Sequence, residues 1–89
     1  MAKKIAVLVR DRQAEALRMS VGLTLADDEV SVFIMDRKLE AGENTDLNLE
    51  ALGDMGANIF SNNPENRMEQ MTTGEIALAL TGYEVVIPY

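Results

Sequence analysis

Apolar residues along the chain gather in short, nearly continuous runs separated by stretches with helical spacing. Residues 3–9 (KKIAVLV) form the first run. A run this short and uninterrupted predicts a strand covered on both faces. Residues 13–26 predict a helix, because Ala14, Leu17, Val21 and Leu25 recur at helical spacing and Ala16, Met19 and Leu23 widen the apolar face. Asp11 is a candidate N-cap for it. Residues 29–35 (EVSVFIM) are rich in β-branched side chains and predict the second strand. The polar stretch 36–46, with Gly42 and Asn44, predicts a long loop. Residues 47–55 predict a short helix, with Gly56 placed just past its end. A third short strand is expected over 57–61, followed by the turn-forming cluster Ser61-Asn62-Asn63-Pro64-Glu65-Asn66. Thr72 and Glu75 have the spacing of a capping box, opening a helix that runs through residues 76–80 and that Gly82 can end. Residues 83–87 (YEVVI) predict the last strand, which Pro88 stops.

This order, β-α-β-α-β-α-β, predicts an α/β fold: a small four-stranded parallel sheet, joined by right-handed crossovers and covered on both faces. Residues 1–89 are read as a single domain. Four strands leave two unpaired edges, which favour pairing with another chain, so a homo-oligomer is expected.

Composition narrows the chemistry. The chain has 89 residues, a formal net charge of −7, and neither cysteine nor histidine. The acidic balance repels phosphate backbones and anionic lipid surfaces, which disfavours nucleic-acid and membrane partners. No apolar run approaches the ~20 residues that span a bilayer. The run at residues 5–9 is too short for a signal-peptide core, so a cytoplasmic location is expected. Without a thiol or an imidazole, disulfides, thiolate chemistry and the usual base of a hydroxyl nucleophile are all missing.

In open parallel sheets, ligands bind beyond the carboxyl ends of the strands. Of the eight Lys and Arg residues, Arg10, Arg12, Arg37, Lys38 and Arg67 fall on loops at that edge, together with Ser61 and Asn62. Guanidinium groups suit bidentate contact with carboxylate or phosphate, so a basic mouth on an acidic body could hold a small anion. Asp11 and Asp36 could instead neutralise these arginines in surface pairs of little energetic weight. The turn Val9-Arg10-Asp11-Arg12-Gln13 has no glycine, so it lacks a dinucleotide fingerprint and a P-loop. Glu40, Glu43 and Asp46 do not have the spacing of a metal loop. No cofactor and no metal are expected.

Lys4-Ile5-Ala6-Val7-Leu8-Val9, then residues 15–25 (EALRMSVGLTL), then Glu29-Val30-Ser31-Val32-Phe33-Ile34-Met35, resemble the DsrE/DsrF-like sulfur-relay family. So does the ending, where Gly56-Ala57-Asn58-Ile59-Phe60 leads through a loop and a short helix to Tyr83-Glu84-Val85-Val86-Ile87. The resemblance implies a three-layer α/β/α fold, trimers or hexamers, and other sulfur-relay proteins as partners. Active members carry persulfide sulfur on a cysteine just after the third strand. The matching position here is Ser61 or Asn62, and neither side chain can hold a persulfide. The resemblance therefore implies a non-catalytic accessory subunit, like the cysteine-less partners in that family. A small-anion or ligand-binding module using the basic edge is the competing expectation. Strand order stays open between sequentially adjacent strands, as the resemblance suggests, and a flavodoxin-like 2-1-3-4.

Overall fold

The structure is a computed structural model that describes residues 3–25, 29–40, 42–66 and 68–88. Its elements are β1 (Lys4–Val9), α1 (Gln13–Leu25), β2 (Glu29–Ile34), α2 (Glu43–Asp54), β3 (Asn58–Ser61), β4 (Glu69–Gln70), α3 (Thr73–Leu80) and β5 (Val85–Pro88). The sheet is wholly parallel, in the order β4-β3-β2-β1-β5. β1 pairs with β2 from Lys4↔Glu29 to Val9↔Ile34, and on its other side with β5 from Ile5↔Val85 to Leu8↔Pro88.

The α/β class and the parallel sheet agree with the sequence, but the sheet has five strands rather than four. The added strand, β4, is two polar residues long and carries no apolar signature. The strand order matches neither expectation. β1, β2, β3 and β4 are sequential neighbours, after which the chain crosses back to the far side of β1. α2 also begins at Glu43, earlier than the apolar pattern indicated. Glu43 and Asp46 lie in its first turn, where carboxylates interact favourably with the free N–H groups. The same charges made this stretch read as loop. β5 begins at Val85, which leaves Tyr83 and Glu84 in the preceding connection.

The layers follow from the handedness of the crossovers. α1 and α2 connect strands that advance in one direction, so they share one face of the sheet. α3 connects strands running back the other way and takes the opposite face. The first face buries Ile5, Val7, Val9, Val30, Val32 and Ile34 against Ala16, Leu17 and Leu52. The second buries Ala6, Leu8, Phe33 and Met35 against Ile76, with Phe60, Met71, Leu80 and Tyr83 packed around them. Aromatic rings fill the space between the sheet and the eight-residue α3. Phe33 stacks on Phe60 with centroids 5.2 Å apart and meets the edge of Tyr83 at 5.8 Å. Tyr83 is thereby part of the second layer.

Two local expectations hold. Gly56 has φ +81°, the left-handed conformation that follows a helix C-terminus and that glycine adopts without a Cβ penalty. Thr72 caps α3: its hydroxyl accepts from Glu75 N at 3.1 Å, and the Glu75 carboxylate accepts from Thr72 N at 2.9 Å. The Thr72 backbone N–H foremost, and then the Thr72 side chain, hold the Glu75 carboxyl below the ordinary glutamate range. Asp11 does not cap α1 in the expected way. The first helical bond runs from Ala16 N to Arg12 O, and the Asp11 carboxylate reaches Arg37 instead.

Candidate functional site

The carboxyl edge of the sheet is closed by side-chain amides. Two residues past the end of β2, Asp36 has φ +66°, a left-handed conformation that costs an L-residue about 1 kcal/mol. Asn62, just past β3, holds it there. Asp36 N donates to Asn62 Oδ1 at 2.6 Å, and Asn62 Nδ2 donates to Asp36 Oδ1 at 3.0 Å and to Thr73 Oγ1 at 2.9 Å. One side chain thus ties together the ends of β2 and β3 and the first turn of α3. Asn63 Nδ2 adds a longer bond to Asp36 O at 3.3 Å.

A second clamp lies deeper. Asn66 is buried, with Oδ1 accepting from Leu39 N at 2.7 Å and Nδ2 donating to Arg37 O at 3.1 Å and to Ser61 Oγ at 2.9 Å. Ser61 is fully buried; its hydroxyl donates to Ile34 O at 2.9 Å and also accepts from Asn63 N at 3.0 Å. Gln13, buried at the start of α1, completes the set: Nε2 donates to Lys38 O and Oε1 accepts from Glu40 N at 2.8 Å. Gln70 Nε2 donates to Asn66 O at 2.8 Å and so ties β4 to the loop before it.

Three of the basic residues at this edge are matched by carboxylates. Arg37 pairs with Asp11 at 3.0 Å, Lys38 with Glu65 at 3.9 Å and Arg12 with Glu15 at 4.0 Å. All six side chains are about two-thirds exposed. Pairs in that setting contribute about 0–1 kcal/mol and give way readily to a competing ligand. The ion-pair expectation holds for Asp11; Asp36 is spent on Asn62 instead. Arg10, exposed at the end of β1, makes no ion pair among the described residues. Arg67 lies outside the described residues.

Ser61 and Asn62, the other two sequence candidates, take different places. The Ser61 hydroxyl is committed to three protein partners and is sealed from solvent, so it can serve neither as a nucleophile nor as a ligand contact. Asn62 is half-buried, with its carbonyl and amino groups both engaged. Beside them lies a cleft of about 520 Å³ between the loops after β2 and β3, whose walls include Lys38, Leu39, Thr45, Leu49, Glu65 and Met68. Among the described residues no cluster of three or more carboxylates could hold a metal ion, and no helix is long and apolar enough to cross a membrane.

Gln13, Asn66, Gln70 and Thr73 complete the network, and none of the four was a site candidate from the sequence. The one available signal was the density of asparagine after the third strand, which reads equally well as turn chemistry. Compared with protein-family models, with curated proteins and with solved structures, the chain finds no match.

Proposed function

We propose that this chain is a non-catalytic α/β subunit that works by association, in the manner of the cysteine-less partners of the DsrE/DsrF-like sulfur-relay family it resembles. The observation that carries this reading is the state of Ser61, which with Asn62 is one of the two residues that the resemblance would match to the reactive sulfur position of active members. The Ser61 side chain is buried and locked by three hydrogen bonds. The surrounding amide network spends its donors and acceptors on fixing loops, which builds a rigid surface rather than a reaction centre. Such a protein acts as a homo-oligomeric or mixed assembly, with trimers or hexamers as the expected forms.

Size-exclusion chromatography with light scattering, together with affinity capture from the native cell, tests the proposal. It expects a defined oligomer and co-purifying sulfur-metabolism proteins. A monomer at all concentrations that captures none of them refutes it.

Binding of a small anion at the same edge is a second reading, favoured by one observation: Arg10 is exposed and has no ion-pair partner among the described residues. Thermal shift with phosphate, sulfite and thiosulfate tests it. Stabilisation that disappears in Arg10→Ala supports anion binding, and a flat response excludes it.

A further inference from the structure

The opposite, amino-terminal edge of the sheet carries a cleft of about 300 Å³, at the small end of the range for ligand sites. Lys4, Thr24, Glu29, Ser31, Asn58 and Tyr83 supply most of its polar lining. It lies outside the carboxyl-edge network and owes nothing to the association proposed above.

Three features of its walls point to a ligand with two opposite ends. The first is a surplus proton. Tyr83 Oη and Ser31 Oγ are 2.7 Å apart, with the tyrosine donating. Two hydroxyls joined by one bond leave one proton over. Ser31 is only 4% exposed, and among the described residues neither hydroxyl has another hydrogen-bond partner. Whichever oxygen donates, the remaining O–H calls for an acceptor in the cleft.

The second feature is a pair of charges that make no ion pair among the described residues. Lys4 and Glu29 are partners in the β1–β2 register, so their side chains leave the sheet on the same face, the face that also carries Ser31 and Asn58. They form no ion pair with one another. The Lys4 ammonium instead lies 5.9 Å from the centroid of the Tyr83 ring, on the hydroxyl side of the cleft.

The third is the pair of helix ends. Thr24 in the last turn of α1 and Met55 and Gly56 after α2 contribute to the lining, and neither helix has a basic residue in its last turn. Their carbonyl ends reach the cleft from the layer on the other face of the sheet and add uncompensated negative potential at its rim.

We propose that this cleft binds a small zwitterion of amino-acid size. Its carboxylate accepts from the Ser31–Tyr83 hydroxyl pair beside Lys4, and its ammonium lies against Glu29, toward the rim that the C-terminal ends of α1 and α2 reach.

The test is titration of the ¹⁵N-labelled protein with free L-amino acids, one at a time, using acetate and methylammonium as single-ended controls. At least one amino acid should give saturable shifts at the amides of Lys4, Glu29, Ser31 and Asn58, while neither control saturates at the same concentration. Lys4→Met, Glu29→Gln and Tyr83→Phe should each weaken that binding about tenfold, the usual consequence of losing a hydrogen bond to a charged group. Tyr83→Phe keeps the ring against Phe33, and Lys4 and Glu29 are exposed strand starts, so a retained amide spectrum separates lost binding from lost folding. Overturning results are no saturable amino acid, acetate binding as well as any of them, or affinity unchanged in the variants.

Discussion

Asn66→Ala tests whether side-chain amides hold the carboxyl edge together. The substitution removes three hydrogen bonds from a residue that is 5% exposed: those to Leu39 N, Arg37 O and Ser61 Oγ. Each ordinary bond contributes about 0.5–1.5 kcal/mol net, and an orphaned buried donor costs more. Ser61 keeps its other two partners, and Arg37, on an exposed loop, can recruit water, so the total is set at about 2–3 kcal/mol. A domain of this length is stable by about 4–13 kcal/mol, so the variant still folds. Its melting temperature should fall by roughly 8–24 °C. Urea titration followed by circular dichroism measures the loss, and hydrogen exchange locates it, because the Leu39 amide should lose its protection. Asn66→Asp is the matched control. It keeps the volume and an acceptor for Leu39 N but sets a carboxylate against Arg37 O, and should be at least as damaging at neutral pH. A loss for Asn66→Ala below about 0.5 kcal/mol, the range of ordinary surface substitutions, with Leu39 still protected, would refute the clamp.

Ser61→Cys should leave a thiol that does not react with an aromatic disulfide reagent in the folded protein and reacts fully in denaturant; rapid native-state labelling would show that the position is accessible. Thr72→Ala should cost about 1 kcal/mol through loss of the α3 cap, measurable in the same urea titration. It should also weaken a pH dependence, in part only, because residue 72 keeps the backbone N–H that is the larger cause of the lowered Glu75 carboxyl. The Glu75 carboxyl is held low in the folded state, so its contribution is complete above the ordinary glutamate range and is lost as pH falls through the lowered folded value. NMR titration should show that carboxyl returning toward the ordinary range in Thr72→Ala. Gly56→Ala should destabilise by about 1 kcal/mol, because no side chain crowds the site and only the left-handed backbone opposes a Cβ. A neutral result in thermal melting would mean the turn after α2 relaxes. Asp11→Asn should change stability by less than about 0.5 kcal/mol, as expected for an exposed pair, and a larger loss would give the Arg37 contact a structural role.

Legibility from sequence followed the range of the interactions involved. The apolar runs of β1 and β2 were readable because both are buried on each face, and their composition records it. The capping box at Thr72 and Glu75 and the turn at Gly56 were readable because every group that satisfies them lies within a few residues. β4 was not, because Glu69 and Gln70 have no apolar face and are held by pairing with β3 and by the Gln70 bonds to Asn66 O and Met68 O. The start of α2 was missed because Glu43 and Asp46 stabilise a helix N-terminus with the same charges that mark a solvated loop.

The edge rich in basic residues was visible in the sequence, and its chemistry was not. Which loops carry Arg10, Arg12, Arg37 and Lys38 follows from the strand pattern. That Arg37 meets Asp11, that Lys38 meets Glu65 and that Ser61 is sealed all depend on residues more than two dozen positions apart. Composition and local periodicity are enough to specify an acidic, parallel α/β chain without thiol or imidazole. The order β4-β3-β2-β1-β5 emerges with long-range packing, since the crossover to β5 could lie on either side of the earlier strands until α3 found its face. The same packing leaves the polar residues beyond β3 bonded to one another, whereas Lys4, Glu29, Ser31 and Tyr83, separated by the length of the chain, meet around an open cleft.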